Sequence, residues 1–331
     1  MEDPDRAVGQ PPGLPGADDH GPHASNPNVA TSRAGATISA GISVVVCSRD
    51  RAEFLRDALV AVTSALRPVD ELVVVDSASV DAGVAVAAVE AGARVFRTDR
   101  PGLGRARNVG WRAATRPIVA FTDDDCAPAE DWTAQVEAAY ADPSIGFAFG
   151  RVLGGEGEGE RLSVTASTVA RRVDPGDAPD GLGHGANMSC RRTALEAVGG
   201  FDDELGAGAR FPAAEDTDLA WRLLRAGWSG VFAPESVVSH RLWRGRAPAM
   251  RVMYRYGVGA GAMAAKSWRL GEGTGRLRRE VWDEGLRMSA RHLRAGYQFG
   301  AAACVLRAAG AAAGAARGRA LRLDADTRYA P

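Results

Sequence analysis

The sequence of 331 residues lacks an uninterrupted apolar run of about 18 residues, the minimum for a membrane-spanning helix. We therefore predict no transmembrane helix. The nearest stretch, residues 295–316, is mostly Ala and Gly and contains Arg307. No charged-then-apolar segment opens the chain either, so we expect no secretory signal.

Cysteine is scarce, and its spacing excludes two kinds of site. No C-x-x-C pair and no histidine cluster accompany the four residues, which argues against a zinc site or a disulfide framework. Two of the cysteines end apolar runs, which indicates buried free thiols in a reducing compartment. We therefore predict a cytoplasmic location. The cysteines are Cys47, Cys126, Cys190 and Cys304.

Lysine is almost absent, since Lys266 is the only one among 40 basic residues, a bias that we attribute to coding rather than to chemistry. The net charge is −1, but residues 241–331 carry 18 basic and 6 acidic residues, which gives +12. This basic region could contact an anionic surface, such as the inner face of the cell membrane, or an acidic partner. Solvated helix faces, or packing on the main domain, are the alternative explanations. We expect no nucleic-acid partner.

Three regions differ in composition. Residues 1–40 have few large apolar groups, so we predict that they are disordered. From residue 41 to 240, short β-branched runs alternate with amphipathic stretches, which predicts an α/β fold with a largely parallel sheet and helices on both faces. Residues 241–331 have a helical pattern and form a basic C-terminal region.

The most informative stretch is residues 118–128 (IVAFTDDDCAP), an apolar strand that runs into three carboxylates. Asp123, Asp124 and Asp125 repel one another unless a positive group lies among them. A divalent cation completed by a diphosphate would suit this position. A solvated acidic turn is the alternative, because Asp and Pro are common in turns.

Other polar groups follow the predicted strands at the same edge. Asp50 and Asp76 come directly after the first two strands, where ligands of open α/β sheets bind. Residues 101–108 (PGLGRARN) form a glycine turn that leads into a helix, a plausible anion site. Arg107 stands where a third glycine would complete a dinucleotide fingerprint, so a Rossmann dehydrogenase is disfavoured.

A second acidic cluster opens a later helix, at residues 215–218 (EDTD). Pairing with the helix dipole would explain it, but a catalytic base would also gain from such a rigid position. The last strand is predicted in two pieces, residues 227–233 and 237–240. His240 stands at the end of the second piece.

Taken together, these stretches resemble the family 2 glycosyltransferases with the GT-A fold. The resemblance covers roughly residues 42–240. Each segment alone is weak evidence for the family, but the set of segments in this order is strong evidence. The segments are residues 44–51 (VVVCSRDR), 74–81 (VVDSASVD), 101–108 (PGLGRARN), 121–128 (FTDDDCAP), 185–190 (GANMSC), 199–202 (GGFD) and 214–219 (AEDTDL), with His240 after them.

The resemblance implies a GT-A mixed sheet with a nucleotide-binding half (41–150) and an acceptor or catalytic half (151–240). It implies Mn²⁺ or Mg²⁺ as the cofactor, and a nucleotide-diphosphate sugar and an acceptor hydroxyl as partners. Asp216 with Glu215 would be catalytic, and Asp123, Asp125 and His240 would hold the metal. The nucleotide sugar would contact Ser48, Arg49, Asp50, Asp76, Ser79, Arg107, Asn108 and Asp124.

These roles imply one in-line displacement with inversion, in which Asp216 takes the acceptor proton. Ser77 replaces an Asn common in the family, which leaves the base contact undefined. No Gln-x-x-Arg-Trp element follows His240, which favours single transfers over processive synthesis, in cell-envelope or secondary-metabolite glycosylation. A non-catalytic sugar-binding module and a nucleotidyltransferase remain as alternatives.

Overall fold

A parallel sheet with helices on both faces forms the first half of the chain, in a computed structural model that describes residues 40–330. The predicted disordered segment 1–40 lies outside the described residues except for Ala40. Alternate side chains of each strand face opposite helix layers, which explains the continuous apolar runs. The elements are β1 (Ile42–Ser48), α1 (Ala52–Ala65), β2 (Glu71–Asp76), α2 (Gly83–Glu90), β3 (Arg94–Arg97), α3 (Leu103–Ala113) and β4 (Ile118–Asp123).

The second half adds the elements β5 (Cys126–Pro128), α4 (Trp132–Ala138), β6 (Ile145–Gly154), β7 (Arg171–Val173), β8 (Met188–Arg191), α5 (Arg192–Ala197), α6 (Glu215–Arg225) and β9 (Ser229–His240). Its strands extend the same sheet in the order β3-β2-β1-β4-β8-β6-β9-β5, with β7 paired to β9. β9 is parallel to β6, whereas β8 is antiparallel to both β4 and β6, so the sheet is mixed. The predicted α/β class with flanking helices is thereby confirmed.

The strand register brings the predicted polar groups to one edge of the sheet. Ser48 lies opposite Asp76, and Cys47 lies opposite Asp123, so β1, β2 and β4 end side by side. The candidate ligands of all three strands therefore converge at their carboxyl ends.

The last strand differs from the prediction, because the two expected pieces form one strand, β9. Its pairing with β6 skips from Ala233 to Val237, opposite Gly150 and Arg151. This bulge contains Pro234, whose missing N–H cannot join the ladder. Pro234, at which the prediction divided the strand into two pieces, thus lies in a bulge of one continuous strand.

The C-terminal region is helical, as predicted. Its elements are α7 (Arg246–Ser267), a π-helical turn (Trp268–Glu272), α8 (Gly275–Arg278), a π-helical segment (Arg279–Arg287), α9 (Met288–Arg294) and α10 (Gln298–Ala320). The two longest helices, α7 and α10, pack closely, since a Cβ on Gly257 or Gly261 would overlap the backbone of α10, and one on Gly314 that of α7.

Within residues 40–330, α10 is the one helix long and apolar enough to cross a membrane by length and composition. The sequence analysis predicted no such helix because Arg307 interrupts the run. Of its most apolar stretch, 44% is buried in the fold, and buried core helices meet the same criterion.

Candidate active site

The three carboxylates after β4 lie in different environments. Asp123 is the most accessible, with 32% of its side chain exposed. Asp124 is buried, where its carboxylate accepts hydrogen bonds from Ser48 Oγ at 2.6 Å and from Arg51 at 2.7 Å. Burial raises the pKa of Asp124 to about 7, although Arg51 opposes the shift. The acidic stretch is therefore not a solvated turn.

Asp125 is the hub of a second group of contacts. Its Oδ2 accepts hydrogen bonds from Arg51 at 3.0 Å and from the indole of Trp243 at 2.9 Å. Its Oδ1 lies 3.5 Å from Nε2 of His240. The Arg51 guanidinium bridges two carboxylates and stacks on Phe54 and Trp243, which places a cation where like charges would otherwise repel.

The donor atoms at this position fit a divalent metal. Oxygen, sulfur and nitrogen atoms of Asp125, Cys126 and His240 lie within 4.8 Å of one another. Nδ1 of His240 is buried and has no hydrogen-bond partner within the described chain. Burial raises the pKa of the Cys126 thiol well above its usual value, which disfavours the thiolate form that binds metals. A carboxylate suits Mn²⁺ or Mg²⁺, and an imidazole is the commonest side-chain ligand of metals.

The ends of β1 and β2 form a connected hydrogen-bond network. Asp50 donates its N–H to Ser79 Oγ at 2.9 Å, and its carboxylate accepts from Val80 N at 2.7 Å. Asp76 accepts from Ser79 N at 2.8 Å and pairs with Arg97. Arg49, by contrast, points outward, with 45% of its side chain exposed. Its guanidinium lies 3.3 Å from the Asp50 carboxylate, so Arg49 joins the edge of this acidic network at the surface.

Arg107 joins the two acidic clusters from inside the protein. The side chain is only 2% exposed and donates to Asp123 at 3.1 Å, to Glu215 at 2.8 Å and to the carbonyl of Gly185 at 3.1 Å. Arg107 thus links the end of β4 to the start of α6, whereas the sequence suggested contact with an anion.

The two acidic residues at the start of α6 differ in burial and in their hydrogen-bond partners. Glu215 is buried, and its carboxylate pairs with Arg107. Asp216 is half-buried, and its carboxylate accepts hydrogen bonds from the N–H groups of Gly185 at 2.7 Å and Thr217 at 2.6 Å. Asp216 is therefore the accessible carboxylate and Glu215 the structural one.

The side-chain amide of Asn108 forms its hydrogen bonds within the protein, so it is not available to a ligand. Its amide nitrogen donates to the carbonyl of Phe201 and to Asp203, each at 2.8 Å. Its oxygen accepts from Phe201 N and from the indole of Trp111. Both ends of the carboxamide therefore secure the turn at residues 199–203, and the structure offers no support for a nucleotide contact.

Residues that the sequence analysis did not single out complete the surroundings. Arg51, Trp243 and Arg244 contact Asp125, Arg244 at 3.8 Å. Tyr256 of α7 shares a hydrogen bond of 2.8 Å with Ser163. The position of Trp243, three residues after His240, was the only local signal for this group.

Comparison with known proteins assigns the chain. The model of "Glycosyl transferase family 2" matches residues 43–199, and that of "Glycosyl transferase family group 2" matches residues 178–306. Both models describe family 2 glycosyltransferases, and together they span residues 43–306. The resemblance drawn from the sequence segments is therefore confirmed.

Two relatives of the chain come from Mycobacterium tuberculosis. Pre-mycofactocin glycosyltransferase is 32% identical over 148 residues, 42% of this chain and 30% of the relative. N-acetylglucosaminyl-diphospho-decaprenol L-rhamnosyltransferase is 39% identical over 76 residues, 23% of each chain. The alignments thus span about a third or less of the length of these relatives.

A solved structure supports the fold. Mannosyltransferase PcManGT from Pyrobaculum calidifontis, in complex with GDP-Man and Mn²⁺, superposes with a TM-score of 0.54 at 23% identity, over 83% of this chain and 75% of that one. The predicted GT-A type fold is confirmed by this likeness.

Proposed function

We propose that the chain is an inverting, metal-dependent glycosyltransferase that moves a sugar from a nucleotide-diphosphate donor to an acceptor hydroxyl. One observation carries the proposal: the buried guanidinium of Arg107 contacts both Asp123, a candidate metal ligand, and Glu215, the neighbour of the accessible Asp216. In this proposal the diphosphate and the base would lie on either side of one side chain.

On the donor side, the network of Asp50, Asp76 and Ser79 would receive the nucleoside, with the exposed Arg49 beside Asp50 as a further contact. Asp123, Asp125 and His240 would hold Mn²⁺ or Mg²⁺. When bound, such an ion neutralises the charge that develops on the departing diphosphate. Asp124 and Ser48 are hydrogen-bonded to each other, so their proposed role is to hold the carboxyl ends of β1 and β4 together.

On the acceptor side, Asp216 would act as the general base. The N–H groups of Gly185 and Thr217 orient its carboxylate. As the acceptor oxygen attacks the anomeric carbon, its proton passes to Asp216 and the bond from that carbon to the diphosphate oxygen breaks. The products are the glycoside with inverted configuration and a nucleoside diphosphate.

We propose single transfers in cell-envelope glycan or secondary-metabolite glycosylation, at a cytoplasmic site. The relatives named for a decaprenol-linked sugar and for pre-mycofactocin are compatible with either pathway. The acceptor would be a lipid-linked intermediate, a glycan or a small molecule.

Contact with an anionic membrane surface is proposed for the C-terminal region, through a face that the sequence analysis did not locate. Residues 247–265 of the basic C-terminal region lie in α7, whose second half is buried in the fold. The helical stretch from Arg279 to Arg294 instead exposes Trp282, Leu286 and Leu293 by 54%, 44% and 59%. Arginines lie among them, as on helices that bind anionic lipid surfaces.

The test is a panel of nucleotide sugars with Mn²⁺ or Mg²⁺, in which nucleoside diphosphate release is measured. We expect release with at least one donor that depends on the metal. Pyrophosphate release would instead indicate a nucleotidyltransferase, and binding without turnover a sugar-binding module. The absence of binding to every donor would refute the proposal.

A further inference from the structure

The only lysine of the chain is buried between two carboxylates. Lys266, at the end of α7, is 0% exposed. Its Nζ donates to Asp202 Oδ2 at 2.5 Å and to Asp218 Oδ1 at 2.7 Å. An ammonium group is costly to bury unless it is paired in this way. The three side chains therefore act as a unit, which we call the lysine clasp (Asp202, Asp218 and Lys266).

One arm of the clasp reaches the helix that carries the candidate base. Asp218 lies in the first turn of α6, two residues after Asp216. Its second oxygen accepts from Arg222 Nε at 2.9 Å, and Arg222 also donates to the carbonyls of Val198 and Gly200. With two cations and two carboxylates, the group is neutral overall.

The other arm reaches the loop that precedes α6. Asp202 accepts from Glu204 N at 2.9 Å and from Tyr329 N at 2.8 Å. Tyr329 is buried, and its hydroxyl donates to the carbonyl of Ala262 on α7 at 2.6 Å. The clasp therefore ties the loop, α7 and the end of the described chain together.

The start of α6 depends on this support. Ala214, directly before the helix, has a φ of 69°, a left-handed conformation that is unfavourable for alanine. Gly259 of α7 packs against Ala213, and a Cβ there would overlap the Ala213 carbonyl. Tertiary contacts from α7, rather than local preference, thus determine where the acidic first turn lies.

The geometry points to Lys266 as a positioning residue that holds the carboxylates of α6, Asp216 among them, in their working place. This inference rests on the proposed function, in which Asp216 is the base. Lys266 touches neither a substrate nor a reacting atom, but displacement of a catalytic group by about 1 Å can cost about 100-fold in rate.

The test uses variants that keep the buried charge balanced. Lys266→Met alone would leave two carboxylates with one cation, so the main variant is Lys266→Met/Asp202→Asn. Tyr329→Phe is the matched control, because it removes a buried hydrogen bond of the same region and leaves the clasp intact. Lys266→Arg keeps the positive charge but replaces the compact ammonium group by a planar guanidinium group.

Two readouts are compared. The first is hydrogen–deuterium exchange of residues 202–218, with strands β1 and β4 as the internal reference. The second is kcat per binding site, where sites are counted by titration with UDP or GDP and Mn²⁺. This count removes any loss that is due to unfolded protein.

We expect the double variant to exchange faster in residues 202–218, but not in β1 and β4, and to lose about 10- to 100-fold in kcat per site. Tyr329→Phe should lose stability but keep kcat per site, and Lys266→Arg should fall between it and the double variant. Wild-type exchange or wild-type kcat per site in the double variant would overturn the inference. If the double variant does not fold, wild-type values of both readouts in Lys266→Arg would overturn it.

Exchange separates this inference from the proposed function. If the wild-type protein transfers no sugar but the double variant loosens residues 202–218, the proposed function fails and the positioning by Lys266 stands. If the wild-type protein transfers sugar and the double variant matches it, the positioning fails alone.

Discussion

Arg107 donates a hydrogen bond of 2.8 Å to Glu215, although the two residues are 108 positions apart in the chain. The contact joins α3 to the start of α6, and the same guanidinium reaches Asp123 at the end of β4. A charged side chain with 2% exposure is stable there only because both carboxylates pair with it. The link between the two halves of the site is therefore also a structural element of the core.

Arg107→Met should destabilise the fold. The substitution leaves Glu215 without its cation in a buried position, so we expect the free energy of unfolding to fall by about 3–5 kcal/mol. Chemical denaturation measures the change. Arg112→Met, on the exposed side of the same helix, is the control and should lose much less. Equal losses in the two variants would show that the buried pairing does not matter.

Glu215 should make stability depend on pH. Burial and the nearby Asp216 raise the pKa of Glu215 to about 7, against the opposing effect of Arg107, so the folded protein retains this proton to higher pH than the unfolded chain. The unfolded chain releases the proton first as pH rises, and the free energy of unfolding should fall between about pH 4.5 and 7.

The measurement is denaturation at several pH values in the presence of a chelator. Glu215→Gln should show a smaller fall in the free energy of unfolding than the wild-type protein, because its side chain does not titrate. Glu130→Gln, at an exposed position, should keep the wild-type slope. A Glu215→Gln variant with an unchanged slope would speak against the raised pKa.

Metal affinity should depend on Asp125 and His240. Asp125→Asn or His240→Gln removes a donor that suits Mn²⁺, and we expect the affinity for Mn²⁺ to fall by at least about tenfold. Electron paramagnetic resonance of free Mn²⁺ gives the dissociation constant. Cys126→Ser is the matched control, and its affinity should not change. Wild-type affinity in both ligand variants would place the metal elsewhere.

The exposed apolar face of residues 279–294 should mediate binding to anionic vesicles. Replacing Trp282, Leu286 and Leu293 by serine removes the apolar contact, so sedimentation with phosphatidylglycerol vesicles should fall. The control replaces three exposed valines of the sheet domain, Val60, Val80 and Val169. Equal binding of the two triple variants would contradict the proposed surface. Deletion of residues 241–331 is unsuitable, because it removes the buried Lys266.

Local sequence patterns predicted the fold well where neighbouring residues decide the structure. The apolar runs located the strands, and the triplet of Asp123, Asp124 and Asp125 could be assigned to a strand end because it follows one directly. The prediction divided β9 at Pro234 because a bulge that keeps the strand continuous depends on its partner β6.

Contacts between distant segments could not be predicted in the same way. Asn108 and Arg107 lie in an apparent anion site of the sequence, but apart from Trp111 and Asp123 their partners come from residues 185–215. Arg51 and Lys266 carry no local signal of their role, because their partners lie far away in the chain, and Trp243 is marked only by its position three residues after His240. The rarity of lysine is unusual, but coding bias explains it equally well at the level of the sequence.

The most direct test of the account is kcat per donor-binding site in Asp216→Asn. With the accepted donor and Mn²⁺, we predict a loss of about 100- to 10,000-fold, because the acceptor proton no longer has a base. Donor binding should be unchanged, and Asp283→Asn, an exposed control on the C-terminal helices, should keep its activity. Near wild-type turnover in Asp216→Asn, with donor binding intact, would contradict the account.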